Sequence, residues 1–268
     1  MVLQNLKPKK YFGQHFLKDE EIAERIVNSF LEKNPCKEVL EVGPGMGVLT
    51  KYLLNQKNLN VKVIEIDRDA VVYLENQFPD LKENIIAADF LQFNPDDYFK
   101  EPFSIIGNFP YNISSQILFM VLDNRDKIPF VVGMFQKEVG ARIASPPGSK
   151  VYGILSVFMQ TFFEVEYLFM VDKSAFNPPP QIQSAVLRFT KKENAKLNCN
   201  ESFFFKVVKT AFNQRRKTLR NALKSIYNVN VETVSVEIPY LDLRAEQLSW
   251  QMFEELTIAI ENWIEKNK

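Results

Sequence analysis

The sequence predicts an α/β domain on a mostly parallel sheet with an antiparallel last strand, followed by a small all-α C-terminal domain. Three observations carry this reading. Short β-branched apolar runs recur along residues 38–190, helix-length segments separate most of them, and the texture turns polar and then helical beyond Thr190. The runs are EVLEVG, NVKVIEID, NIIAAD, FSIIGN, PFVVGMF, YLFMVD and SAVLRFT. Helices are expected at 68–77, 113–123, 136–145 and 152–163, each long enough for a crossover. The last two runs are joined by SAFNPPPQIQ, a Pro-rich loop with no helical pattern, so an antiparallel pair is expected there. The polar stretch KKENAKLNCN sets the boundary, giving one domain over 1–190 and a second over 191–268.

Composition narrows the class without deciding it. A chain of 268 residues with 46% hydrophobic content fills a proper core. Thirty-three basic and thirty-three acidic residues cancel, so any basic surface must come from uneven distribution along the chain. Cys36 and Cys199 are far apart, with no CxxC and a single His, which argues against a disulfide framework or a metal site and for a reducing compartment, the cytoplasm. No segment approaches the roughly 18 uninterrupted apolar residues of a membrane span, so neither export nor membrane insertion is expected.

The first chemical signal is EVGPGMG, three of the chain's nine glycines within five residues, between the first strand and LTKYLL. Glycines there let backbone approach a ligand at the start of a helix, where free N–H groups point outward. Glu65 closes the second strand twenty positions after Gly45, where a carboxylate accepts hydrogen bonds from ribose hydroxyls. A dinucleotide fingerprint requires Gly or Ala three positions beyond Gly45. That position is Val48, and Pro44 stiffens the turn, so NAD is disfavoured. The E-x-G-x-G-x-G pattern with an acid at the second strand's end resembles motifs I and II of S-adenosylmethionine (SAM) methyltransferases, on a Rossmann-like fold. That resemblance implies that Asp89, in IIAADFL, meets the adenine amino group and that Phe90 or a nearby apolar residue covers the ring; the alternative is that Asp89 caps the next turn.

The fourth strand ends in Asn108-Phe109-Pro110-Tyr111, beside the glycine turn if ligands bind beyond the carboxyl ends of the strands. Pro110 fixes its own φ and forces Phe109 toward extended backbone, so the chain leaves the sheet stiffly with its carbonyls held. An exocyclic amine such as adenine N6 is a poor nucleophile because its lone pair is delocalised into the ring. It needs acceptors for its hydrogens more than a strong base, and the Asn108 side-chain oxygen and Pro110 carbonyl can be those acceptors. Tyr111 offers a face for a flat base and for the cationic product. His15 lacks a Ser/Asp arrangement for a triad.

The ordered set KKYFGQHFLKD, EVGPGMGVLT, EIDRD, AADFL, GNFPYNISS and FNPPPQIQSAV resembles the small-subunit ribosomal RNA adenine dimethyltransferases, the KsgA family, over nearly the whole chain. The resemblance implies SAM contacts by His15, Leu17, Gly43 and Gly45, and by Glu65, Ile66, Asp89, Phe90 and Asn108. It places Phe176 as a second aromatic wall opposite Tyr111. Gln183 stands where Asp is frequent in the family, and Phe109 replaces a commoner Leu. The implied reaction is dimethylation of N6 on two adjacent adenines near the 3′ end of small-subunit rRNA, within an assembling 30S particle.

From Ser202 to Val231 there is no acidic residue, while Arg215, Arg216, Lys217 and Arg220 join three lysines there among apolar residues at approximately helical spacing. This one-signed stretch is expected to bind RNA phosphates. Its AFNQRRKTLRNAL, with the later RAEQLSWQMFEEL, resembles the family's C-terminal helices and speaks against the related resistance-type methylases of large-subunit RNA. Intact NFPY and Glu65 speak against a non-catalytic nucleic-acid-binding factor. No dimerisation segment is evident, so a monomer is expected.

Overall fold

A computed structural model describes residues 8–227 and 238–267. Two compact units emerge, one made of Met1–Gly140 with Glu164–Lys191, the other of Ala141–Phe163 with Lys192–Lys268.

The first unit is built on a seven-stranded sheet. In chain order its strands are β2 (Glu38–Val42), β3 (Asn60–Ile64), β4 (Ile85–Ile86), β5 (Phe103–Asn108), β6 (Phe130–Gln136), β7 (Phe163–Val171) and β9 (Ser184–Lys191), arranged β4-β3-β2-β5-β6-β9-β7. Strands β2 to β6 run parallel, and β9 runs antiparallel to β6, with Gln136 opposite Ser184. The central strands β5 and β6 are buried at every position but their last, as near-continuous apolar strands covered on both faces must be. Helix α3 (Arg68–Gln77) spans the expected segment, and α4 (Ser114–Asp123) and α5 (Lys137–Ala144) fall within theirs. α1 (Glu20–Leu31) was not anticipated by the strand-and-crossover pattern. Asp19 caps it by accepting from the Ile22 N–H at 3.1 Å, and Ala23, Ile26, Val27 and Phe30 form its buried stripe.

A second small sheet was also unforeseen. β1 (Phe16–Leu17) pairs antiparallel with β8 (Phe176–Asn177), Leu17 opposite Phe176. It draws the GQHFL segment to the FNPPPQ segment about 160 residues away, as the His15 Nδ1 to Pro178 O contact at a separation of 163 residues also shows.

The second unit is helical. α6 (Ile154–Phe162), α7 (Glu201–Asn213) and α10 (Trp250–Lys266) pack on one another around Phe158, Phe204, Phe253 and Leu256. Two short helices, α8 (Leu219–Ala222) and α9 (Lys224–Tyr227), follow α7. The segment 152–163 was assigned by sequence to the first domain, yet α6 groups with the helices. Its sequence ILSVFMQTF is apolar nearly all round, and seven of its nine residues are buried, as befits a helix inside a bundle. Among the described residues, no helix is long and apolar enough to cross a membrane.

Candidate active site

The pairing register places the functional strand ends together. Val42 pairs with Ile64, and Glu41 with both Val63 and Ile106, so Gly43, Glu65 and Asn108 leave the sheet side by side. Gly43, Gly45 and Gly47 have φ of +68°, +56° and +77°, a left-handed path that costs a residue with a Cβ roughly 1–2 kcal/mol. Space forbids one as well at Gly45, where a Cβ would lie 2.9 Å from the Phe16 ring. The Gly45 N–H donates to Glu65 Oε2 at 3.3 Å, tying the glycine turn to the acid at the end of β3.

A cavity of about 260 Å³ opens over these strand ends. Its wall includes His15, Leu17, Gly43, Gly45 and Glu65 from the first three segments. Ile66, Asp89, Phe90, Asn108, Pro110 and Tyr111 complete the sequence-derived set within it. Ile66 is half exposed at the rim, whereas Phe90 is buried. Asp89 Oδ1 accepts from the Leu91 N–H at 2.9 Å as a cap, and the residue also lines the cavity.

The wall's electrostatics have one sign. Its carboxyl groups are those of Glu41, Glu65 and Asp89, and among the described residues neither Lys nor Arg lines it. Burial pushes Glu65 up, while backbone N–H groups of Asp67 (2.9 Å) and Gly45 oppose the shift. Glu41 is pushed up further, to about 8, by complete burial, partly offset by the Thr50 hydroxyl donating at 2.6 Å. Sequence reasoning did not single out Glu41. The available signal was an acid inside an apolar strand, which is costly unless it has a use.

The NFPY turn is anchored from beneath. Gly107 on β5 faces Gly133 on β6, and a Cβ at either would come within 2.8 Å or 2.2 Å of the Phe109 ring. Two glycines thus make a seat for Phe109, which is 1% exposed and meets Phe135 edge-on at 5.2 Å. Above it, the Asn108 Nδ2 donates to the His15 carbonyl at 2.9 Å, so the carboxamide oxygen is the end left without a partner among the described residues. The Pro110 carbonyl accepts from the Ile113 N–H at 3.2 Å, one use of two lone pairs. The Tyr111 hydroxyl meets Ser184 Oγ at 2.5 Å, and its ring stacks on His15 with centroids 5.5 Å apart. Burial raises the Tyr111 pKa, with the Ser184 bond opposing, so the hydroxyl stays protonated at neutral pH.

Phe176 departs from its expected place. It is 1% exposed, packs in the core with Leu17 and Ala175, and is absent from the cavity wall, because pairing of β8 with β1 holds it inward. The basic set also divides. Arg215 donates to the carbonyls of Ser149 (3.4 Å) and Lys150 (2.6 Å) and lies 3.6 Å from Glu246, and Arg220 grips Asp242 at 2.9 Å. Arg216 and Lys217 are exposed and have no side-chain partner among the described residues. The last four positions of the acid-free stretch, 228–231, lie outside the described residues.

The family model "Ribosomal RNA adenine dimethylase" matches residues 5–257. The chain is 54% identical over 260 residues to the ribosomal RNA small subunit methyltransferase A of Flavobacterium johnsoniae, covering 97% of this chain and 98% of that protein. Its identity to the protein of that name from Cytophaga hutchinsonii is 52% over 255 residues, covering 95% and 98%. Among solved structures, a dimethyladenosine transferase from Plasmodium falciparum shares the fold with a TM-score of 0.78 at 24% identity, over 93% of this chain and 98% of that one. The 23S rRNA methyltransferase ErmE matches with a TM-score of 0.65 at 26% identity, over 90% and 99%. The family model over nearly the whole chain and the relatives at more than half identity place the chain in the ribosomal RNA adenine dimethylase family.

Proposed function

We propose that this chain transfers methyl groups from SAM to N6 of two adjacent adenines near the 3′ end of small-subunit rRNA, giving N6,N6-dimethyladenosines. The observation that carries the reading is the one-signed cavity wall beside an unpartnered carboxamide oxygen. The carboxylates of Glu65 and Asp89, with Glu41 protonated below about pH 8 and neither Lys nor Arg in the wall among the described residues, suit a nucleoside that bears positive charge and no phosphate, which is SAM and not a dinucleotide. The half-and-more identity to relatives named small subunit methyltransferase A supports the choice of RNA.

When bound, SAM supplies a methyl group on a sulfonium, an electrophile that needs no activation by the protein. The protein's task is placement. Glu65 accepts from the ribose hydroxyls, and the second oxygen of Asp89 accepts from the adenine amino group. The glycine turn, lacking side chains, lets the nucleoside lie against backbone. At the opposite wall, Asn108 Oδ1 and the free lone pair of the Pro110 carbonyl accept the two N6 hydrogens of the target base. Those bonds turn the nitrogen lone pair out of the ring plane and stabilise positive charge as it develops. Tyr111 stacks on the base once His15 yields its face, and it favours the cationic product. No general base is called upon, and the surplus proton passes to water.

We extend the reading to a monomer acting in the cytoplasm on the rRNA of an assembling 30S particle, with Arg216 and Lys217 on RNA phosphates. Splayed, unpaired adenines are accessible to such a site, whereas paired ones are not. The test is incubation of under-methylated small subunits, and in parallel large subunits, with labelled SAM, followed by nucleoside analysis. The expected result is labelled N6,N6-dimethyladenosine from the small subunit alone. Label confined to the large subunit, or none in either, overturns the proposal.

A further inference from the structure

The N-terminal strap, residues 9–17, runs along the cavity wall; β1–β8 pairing and the His15 Nδ1 to Pro178 O contact hold its far end, and the buried carboxylate of Asp67 holds Lys9 and Gln14. Asp67 follows β3 and is 1% exposed. Its Oδ1 receives Lys9 Nζ at 2.5 Å, and its Oδ2 receives Gln14 Nε2 at 3.1 Å, from residues 58 and 53 positions earlier. Gln14 closes the strap on itself by accepting from the Lys9 N–H at 2.8 Å. Lys9 also meets the exposed Asp69 at 2.7 Å. Burial alone raises the Asp67 pKa, but the bonds from Lys9, Gln14 and the Asp69 N–H outweigh it, and the net shift is downward.

Capping explains only part of this. Asp67 caps α3 by accepting from the Asp69 N–H at 3.0 Å, and one solvated oxygen would suffice for that. Burying the group and spending both oxygens on the strap serves something else. The strap's next residue is His15, whose carbonyl accepts from Asn108 Nδ2. A carbonyl can only accept, so it selects the NH₂ end of the carboxamide and leaves the oxygen on the other side. With the strap displaced, the amide is free to turn over. An NH₂ group facing the N6 hydrogens would set donors against donors.

We propose that Asp67 is a positioning residue: by holding Lys9 and Gln14 it pins the strap whose His15 carbonyl orients the Asn108 carboxamide oxygen toward the substrate amine. The same residue's N–H donates to Glu65 Oε1 at 2.9 Å, so the loop that holds the strap also sets the ribose-binding acid. The catalytic half of this inference rests on the methyltransferase reading, whereas the orientation of Asn108 does not.

The test uses Asp67→Asn, which keeps the cap, together with Lys9→Met, their double variant, Lys9→Arg, and Asp69→Asn as a control. In the free protein, labelled at asparagine, the Asn108 side-chain proton bonded to His15 is expected to exchange about 10-fold faster in Asp67→Asn and Lys9→Met than in the parent. The single-turnover methylation rate at saturating SAM is expected to fall about 10- to 100-fold in both. The double variant should be no slower than the worse single variant, since one latch is broken either way. Lys9→Arg restores the rate, and Asp69→Asn leaves it unchanged. Unchanged exchange at Asn108, or a rate at saturation that holds while only SAM affinity or thermal stability drops, overturns the assignment. If the parent protein methylates no RNA, the functional reading falls, and the exchange measurement still decides whether Asp67 orients Asn108.

Discussion

The cavity of the sheet unit and the cationic stretch of the helical unit were both expected to bind, and they differ in how their side chains are held. In the cavity, most of the wall is held by backbone geometry or burial: glycines at positive φ, carboxyl groups at or just past strand ends, an aromatic ring seated on two glycines. In the helical unit the groups are long cations whose company is set by neighbours. Of the four named there, Arg215 and Arg220 turn inward to carbonyls and to Asp242, and Arg216 and Lys217 stay in solvent. A converging site therefore tolerates no spare parts, while a charged surface distributes its work and loses some cations to its own fold.

Substitutions can break that contrast at several strengths. The largest effect belongs to Asn108→Ala, expected to cut the methylation rate about 10²- to 10³-fold while RNA affinity stays the same, as for removal of one fixed group facing developing charge. Rapid-quench single turnover with a parallel RNA-binding titration checks it, and an equal loss in both would make Asn108 a binding residue only. Next is Gly45→Ala. The new Cβ meets Phe16 at 2.9 Å and the residue must keep φ near +56°, strain of about 1–3 kcal/mol that should weaken SAM about 10- to 100-fold by calorimetry.

A third prediction follows from Glu41, held at about 8 by burial, against about 4.3 in an unfolded chain. Between those values the folded state carries a proton that the unfolded state has lost. Its stabilising contribution is therefore complete below the lower value and drains away as pH rises toward the upper one, by about 1.4 kcal/mol per pH unit. Glu41→Gln keeps an acceptor for the Thr50 hydroxyl and removes the titration. Without SAM, its thermal unfolding should lack the decline that the parent shows between about pH 5 and 8; parallel curves would mean that Glu41 is already ionised.

The mildest effect is at the surface. Reversing Arg216 and Lys217 together to Glu should weaken RNA binding about 10-fold at moderate salt and flatten the salt slope by one to two units. Arg220→Ala should leave that slope alone, because its guanidinium is already spent on Asp242. A larger slope change for Arg220 than for Arg216 and Lys217 would invert the division of the basic set.

What was legible beforehand followed range along the chain. Helix α3 lay at 68–77 as periodicity demanded, and four of the five parallel strands, β6 apart, appeared where β-branched runs ended in Gly, Asp or Asn. α1 escaped notice although Asp19 and its buried stripe are ordinary helix signals, because the reading followed strands. Phe176 was misplaced for a different reason. Family resemblance put it opposite Tyr111, and nothing local announces a two-residue strand that holds it in the core.

The sequence by itself determined the glycine turn, the acid twenty residues on and the rigid NFPY corner, because positive φ, strand ends and proline stiffness act within a few bonds of the residues that cause them. Only the tertiary structure decided which end of the Asn108 amide faces the cavity, which arginines remain in solvent, and that Asp67 holds a strap more than fifty residues away. Those outcomes depend on which desolvated polar groups meet once the chain is packed, and a buried donor takes the acceptor that packing brings to it, whatever its distance in sequence.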